Sequence, residues 1–150
     1  MSAEAALLDT NVLIYALDPK SPFHAESRAL LESARLSDAA LCVTPQIIGE
    51  FYSVVTDRRR VPQPRTSSEA LDAIEQILAL PGIALLPTPV DSVERWTKLA
   101  RQHPLTGPAI YDLQLVATLQ AYEVQTVYTY NRTDFDRYAE MRSLNPSEKR

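Results

Sequence analysis

The sequence predicts an α/β domain built on a mostly parallel sheet. Two observations carry that prediction. Short apolar runs alternate with longer stretches whose apolar residues recur at helical spacing, the pattern of a parallel sheet connected by helices. The helical stretches are bounded by start and stop residues rather than running together. The chain has 150 residues, the size of one domain with one core. A hydrophobic share of 45% and a charged share of 23% exclude a disordered chain.

The elements follow in order. Residues 5–8 are apolar and read as a first strand ending at Asp9, after which Thr10 and Asn11 cap a helix running through Tyr15 and Leu17. Ser21 then Pro22 read as an N-cap and first helical residue, opening a second helix to about Leu36. Residues 40–43 form the second strand. Thr44-Pro45 is a second cap-plus-proline start, and Ile47, Ile48, Phe51, Val54 and Val55 share one helix face. That helix fails near Arg58, because residues 61–64, Val-Pro-Gln-Pro, cannot continue it. A helix after Ser67 or Ser68 carries Leu71, Ile74, Ile77 and Leu78 and stops at Pro81-Gly82. Residues 83–86 are the third strand. Pro89 opens a helix to about Gln102, and Gly107-Pro108 opens another through Ala121. Residues 126–129 are the fourth strand and 141–144 a short fifth. The domain is expected over residues 1–146, with 147–150 as a tail.

No apolar run approaches the roughly 18–20 residues needed to span a bilayer. The opening residues Met1-Ser2-Ala3-Glu4 lack the basic region of a secretory signal. Cys42, the only cysteine, sits between Leu41 and Val43 and reads as a buried strand thiol, so no internal disulfide can form. A cytoplasmic location without membrane attachment is the expectation. Fifteen basic against nineteen acidic residues give a net charge of −4, which argues against non-specific coating of nucleic acid. It leaves room for a nuclease, because carboxylates that hold cations count against net charge while serving phosphate chemistry.

Four acids stand out. Asp9 falls where the first strand meets a helix, and open parallel sheets bind ligands at the carboxyl ends of strands; a helix-capping role is the alternative. Glu50 flanks the apolar face of its helix, a position expected to half-bury it and to demand a partner. Asp112 lies near the start of a helix that is apolar nearly all round, with Leu115, Val116 and Leu119 three, four and seven residues on. Asp134 follows the fourth strand, as a loop residue or the cap of a short helical turn. Taken together, Asp9 and Asp134 follow strands at one sheet edge, and Glu50 and Asp112 lie on helices able to lean over it. Hard cations such as Mg²⁺ take oxygen ligands and leave room for water and phosphate.

Four blocks carry a family resemblance. They are Leu7-Leu8-Asp9-Thr10-Asn11-Val12-Leu13-Ile14, Thr44-Pro45-Gln46-Ile47-Ile48-Gly49-Glu50-Phe51-Tyr52, Ile110-Tyr111-Asp112-Leu113-Gln114-Leu115-Val116-Ala117-Thr118, and Tyr128-Thr129-Tyr130-Asn131-Arg132-Thr133-Asp134-Phe135. In order and spacing, from about residue 6 to Pro146, the chain resembles PIN-domain nucleases, especially VapC-type toxins. The resemblance implies a Rossmann-like fold with a five-stranded parallel sheet. It implies a ribonuclease whose Asp9, Glu50 and Asp112, with Asp134 as fourth acid, hold Mg²⁺ or Mn²⁺. Many PIN proteins carry aspartate where this chain has Asn131, so Asn131 reads as a neutral ligand or a loop-shaping residue. Thr10, Asn11, Thr129 and Asn131 are the expected polar contacts to carboxylates, water or substrate. Arg58, Arg59, Arg60 and Arg65 are candidates for the RNA backbone. Tyr15, Tyr52, Tyr111 and Trp96 read as packing residues before base-stacking ones, and His24 and His103 as surface or helix-end residues.

The implied partners are an RNA substrate, a second copy of the chain, and a small VapB-like antitoxin whose arginine would neutralise the acids. The helices over residues 21–36 and 45–57 are the candidate antitoxin groove. Rival chemistries lack their signatures. A haloacid-dehalogenase-like site wants a second aspartate where Asn11 stands, a receiver domain wants an adjacent acidic pair, and there is no GxxxxGK[ST]. An antitoxin-free PIN nuclease of rRNA or tRNA processing, and a non-catalytic PIN-like module, remain as alternatives.

Overall fold

Five strands pair in the order β3-β2-β1-β4-β5, all parallel, in the computed structural model, which describes residues 4–148. They are β1 (Ala6–Leu8), β2 (Leu41–Val43), β3 (Ile83–Leu85), β4 (Thr126–Tyr128) and β5 (Arg142–Leu144). Each is three residues long. The three inner strands are buried at every residue, which is why they read as unbroken apolar runs rather than alternating ones. The edges differ: Ala84 and Leu85 of β3 and Arg142 of β5 are exposed.

Seven α-helices connect the strands among the described residues: α1 (Thr10–Ala16), α2 (His24–Ser33), α3 (Pro45–Val55), α4 (Ser67–Leu78), α5 (Ser92–Gln102), α6 (Ala109–Ala121) and α7 (Thr133–Asp136). Helix α3 starts as its sequence dictates: the Thr44 hydroxyl accepts from the Ile47 N–H at 3.3 Å, and Pro45 occupies the first turn. Helix α4 has a full capping box, with Thr66 and Glu69 satisfying each other's backbone N–H groups. Three starts differ from expectation. Asp9, not Thr10 or Asn11, caps α1, and both of those residues lie within the helix. Ser21 does not cap a helix at Pro22. Its hydroxyl accepts from the Phe23 N–H and its carbonyl from the His24 N–H, so residues 21–23 form a turn and α2 begins at His24. That helix ends at Ser33, not near Leu36. Likewise Pro89 leads a turn, its carbonyl accepting from the Ser92 N–H, and α5 begins three residues later.

Gly82 shows how tightly β3 is entered. Its N–H donates to the Ala34 carbonyl at 2.7 Å and its carbonyl accepts from the Leu41 N–H at 2.9 Å. A Cβ built there would lie 2.3 Å from the Leu36 carbonyl oxygen, a distance backbone cannot give way to.

The chain runs outward from β1 to β2 and β3, then returns to β4 and β5 on the other side of β1. The strand order therefore reverses between β1 and β4, and in open parallel sheets such a switch point opens a crevice beyond the strand ends. Asp9 leaves β1 there, and residues 129–134 leave β4. Cys42 is buried in β2. No helix of the described residues is long and apolar enough to cross a membrane. Ser147 and Glu148 of the expected tail are held in a turn by Asn145, whose side chain accepts from the Ser147 N–H; residues 1–3 and 149–150 lie outside the described residues.

Candidate metal-dependent active site

Asp9 is the N-cap of α1, in an extended conformation, and one of its oxygens accepts from the Thr10 N–H at 2.8 Å. Its own N–H donates to the Tyr128 carbonyl at 3.0 Å, which fastens the end of β1 to β4. Its second oxygen accepts from the Thr129 hydroxyl at 2.7 Å. Capping and site membership, separate alternatives in the sequence, are therefore the same arrangement. Burial pushes the Asp9 carboxyl above its ordinary range, Glu50 and Asp134 add to that push, and the bonds from Thr129 and Thr10 oppose it.

Thr129 organises the crevice. It is fully buried, and its oxygen also accepts from the Asn131 N–H at 2.9 Å and from the Asn11 side-chain amide at 3.5 Å. The Asn11 carbonyl oxygen accepts from the Tyr130 N–H at 3.2 Å. Asn11 and Thr129 thus lock the β4 loop onto α1 and aim Asp9.

A cleft of about 410 Å³ lies over this junction. Asp9, Glu50, Asp112 and Asp134 all line it, so the structure brings the four expected acids to one opening. Thr10, Asn11 and Asn131 line it as well; Thr129 lies beneath, and Arg58 is exposed outside it. Glu50 is exposed rather than half-buried, because α3 turns it toward the opening instead of into the packed face around Phe51. Asp134 sits in the first turn of α7, a helix too short to leave a periodic signal. Burial first, then the charges of Asp134, Asp9 and Glu50, against an opposing pull from Arg137, push the Asp112 carboxyl up to about 6.

Sequence reasoning missed two polar lining residues, Asp18 and Gln46, and named Arg60 only as one of four arginines that could contact RNA. Spacing held a signal for Gln46, which lies four residues before Glu50 on one face of α3; Asp18 lies beyond the end of α1, where no helical period marks it. The Gln46 amide donates to the Tyr111 carbonyl at 3.2 Å and ties α3 to the start of α6.

These residues fit a divalent cation. Five carboxylates face one guanidinium across the cleft, and their repulsion is visible in the raised Asp112. The Thr10 hydroxyl oxygen is buried at the same opening without a hydrogen-bond partner, a vacancy that an ordered water would satisfy. Among the described residues no three acidic, histidine or cysteine side chains converge closely enough to grip an ion alone. That spread suits Mg²⁺, which keeps several waters and takes one or two carboxylates plus substrate phosphate.

The PIN domain model matches residues 6–141. The chain belongs to the PIN-domain family. A VapC ribonuclease from Mycobacterium bovis and ribonuclease VapC43 from Mycobacterium tuberculosis are each 30% identical over 141 residues, covering 93% of this chain and 93% of the relative. Ribonuclease VapC24 from Mycobacterium tuberculosis is 27% identical over 140 residues. Among solved structures, the sarcin-ricin-loop-cleaving toxin VapC20 of Mycobacterium tuberculosis superposes with a TM-score of 0.66 at 13% identity, over 89% of this chain and 95% of that one. The DNA-bound VapBC of Salmonella typhimurium also reaches 0.66, at 17% identity over 96% and 99%. At those identities the structures bear on the fold, and they agree with the five-stranded parallel sheet.

Proposed function

We propose that this PIN-domain chain is a divalent-metal-dependent ribonuclease and the toxin of a toxin–antitoxin pair. The observation that carries the reading is the cleft at the β1/β4 switch point, where Asp9, Glu50, Asp112 and Asp134 face one another without enough basic charge to neutralise them. Relatives of nearly equal length, named as VapC ribonucleases, support the choice of RNA.

Asp9, Glu50, Asp112 and Asp134 would hold Mg²⁺ or Mn²⁺. A bound ion of this kind neutralises phosphate oxygens and makes a coordinated water acidic near neutral pH. The chain does the rest. Thr129 favours the ionised form of Asp9 against its burial and fixes its direction by donating to it from a fully buried position. The Thr10 hydroxyl, buried and unpartnered, is available to orient a water at the cleft. Asn11 and Asn131 hold the loop between β4 and α7 open beside it. The cleft lining includes no cysteine, serine or histidine among the described residues, and the reaction read from it is hydrolysis with water as the nucleophile.

An antitoxin has a place to lie. A groove of about 490 Å³ runs between the end of α1, residues 61–65 and the start of α4, and shares Ile14, Asp18, Val61 and Pro62 with the cleft. Its walls differ from the helix pair expected from sequence: α3 contributes only Val55 and α2 nothing. A peptide seated there could extend an arginine to the acids. A homodimer is part of the same reading.

The test is incubation of purified protein with total cellular RNA, with Mg²⁺ or Mn²⁺ and with EDTA, beside an Asp9→Ala variant. Discrete fragments that require the metal and disappear in the variant are expected. Cleavage that survives both EDTA and Asp9→Ala would overturn the carboxylate mechanism.

A further inference from the structure

We infer that Arg60, not its neighbours in the arginine run, grips the RNA phosphate backbone at the mouth of the acidic cleft; the inference rests on the ribonuclease reading above. Three adjacent arginines follow α3, and the structure gives them different surroundings. Arg59 is held by Asp57, with Nε and a terminal nitrogen each 3.2 Å from a carboxylate oxygen. Arg58 is exposed and away from the cleft. Arg60 lines the cleft with the four acids; Asp57 bonds directly to Arg59 and acts on Arg60 only through its charge, which leaves the Arg60 guanidinium's hydrogen-bond donors to the cleft.

The backbone places it there. The Arg60 and Val61 N–H groups both donate to the Asp57 carbonyl, at 2.9 and 3.0 Å, which winds the chain into a tight turn directly after α3. The Arg65 N–H donates to the Val55 carbonyl at 2.7 Å and the Arg65 guanidinium to the Leu17 carbonyl at 3.0 Å, so the loop's far end is pinned to α3 and α1. Val61 and Pro62, between these anchors, form the wall shared by cleft and groove.

A base beside so many carboxylates that pairs with none of them is available to another anion. RNA presents one at each nucleotide. A polyanion approaching an acidic cleft is repelled except where a cation or a guanidinium receives it, and arginine's planar fork suits two phosphate oxygens at once. Arg60 would receive a phosphate flanking the one cleaved, so its contribution is equal in the ground and transition states and falls on KM.

The experiment measures steady-state cleavage of a short single-stranded RNA in Mg²⁺ by wild type, Arg60→Ala, Arg60→Lys, Arg58→Ala, and Arg101→Ala on the outer helix α5 as a charge control. KM is read as a function of salt. Arg60→Ala is expected to raise KM about tenfold with kcat changed less than about twofold, the loss of one charge-assisted hydrogen bond. The slope of log(kcat/KM) against log salt should fall by about 0.7, one phosphate contact to a single strand. Arg60→Lys should restore the slope but only part of KM. Equal effects from Arg60, Arg58 and Arg101 would mean diffuse charge and would overturn the inference while leaving the nuclease reading intact. Faster cleavage by Arg60→Ala would overturn it too, making Arg60 a brake on the acids. Absence of cleavage by wild type in any metal would remove the nuclease reading, and the inference with it.

Discussion

Replacing Thr129 by valine keeps the shape of a fully buried side chain and deletes its one hydroxyl. That hydroxyl donates to Asp9 at 2.7 Å, accepts from the Asn131 N–H at 2.9 Å and, at the long distance of 3.5 Å, from the Asn11 amide. Asn131 is exposed, so water replaces the second bond at little cost. The first is a buried bond to a carboxylate, worth about 2 kcal/mol. For a domain of this size that corresponds to a fall in melting temperature of about 4–8 °C. The sign with pH is fixed by the group involved. Burial already holds the Asp9 carboxyl above its ordinary range, and Thr129 opposes that. In Thr129→Val the folded-state pKa rises further, so the deficit against wild type is full at pH 8 and shrinks as pH falls and Asp9 takes up its proton. Thermal unfolding in EDTA at pH 8 and pH 4.5 reads this. The Mg²⁺ concentration for half-maximal cleavage should rise about tenfold at least, since partners that orient a ligand matter about that much. Thr129→Ser should recover most of both. An equal deficit at both pH values, unrescued by serine, would refute the reasoning and assign the loss to packing.

Two further outcomes follow from the same geometry. With Asp112 pushed up to about 6, about half of the metal-free molecules carry a proton there at pH 6, and a bound cation must expel it. Calorimetric Mg²⁺ or Mn²⁺ titrations at pH 6 in buffers of different ionisation heat should show proton release that fades by pH 8; buffer-independent heats at pH 6 would contradict it. At Gly82, alanine would press its Cβ to 2.3 Å from the Leu36 carbonyl oxygen. Gly82→Ala should cost about 3 kcal/mol or more by forcing β2 and β3 apart, seen as a lowered urea midpoint; an unchanged midpoint would mean the turn at residues 34–39 moves freely.

Most of the architecture was legible because it rests on local physics. Unbroken apolar runs marked the strands, and Thr44-Pro45 marked α3 because cap and proline satisfy the same orphan donors. The failures lie where tertiary contacts overrule a local signal. Ser21-Pro22 has the form of a helix start, yet Phe23 packs against Tyr15 and Tyr130, with ring centroids 5.3 and 4.6 Å away, and residues 21–23 serve that cluster instead of the helix. Tyr130 is tied in further by Ser27 at 2.6 Å and Glu26 at 3.1 Å, and burial pushes its hydroxyl up to about 12. Helix α7 was legible only as one of two alternatives at Asp134, because four residues cannot display a period of 3.6, and its cap is Arg132, not Asp134. The acids were individually ambiguous, and topology alone suggested a common sheet edge. What sequence could not convey is the path of the loop after α3, which separates Arg60 from Arg58, and the outward turn of Glu50.

On the proposed reading, the four carboxylates are set against one another for catalysis at the expense of stability. The most direct measurement compares Asp112→Asn with wild type in one preparation, reading melting temperature in EDTA and RNA cleavage in Mg²⁺. The wild-type carboxyl titrates near 6 when folded and near its ordinary value when unfolded, so its charge destabilises the fold above pH 6. The neutral isostere should therefore melt higher at pH 8, by about 1 kcal/mol once solvent screening is counted, match wild type at low pH, and cleave at least about a hundredfold more slowly. A variant that melts lower at pH 8 and still cleaves RNA would contradict the account, leaving Asp112 as a structural acid.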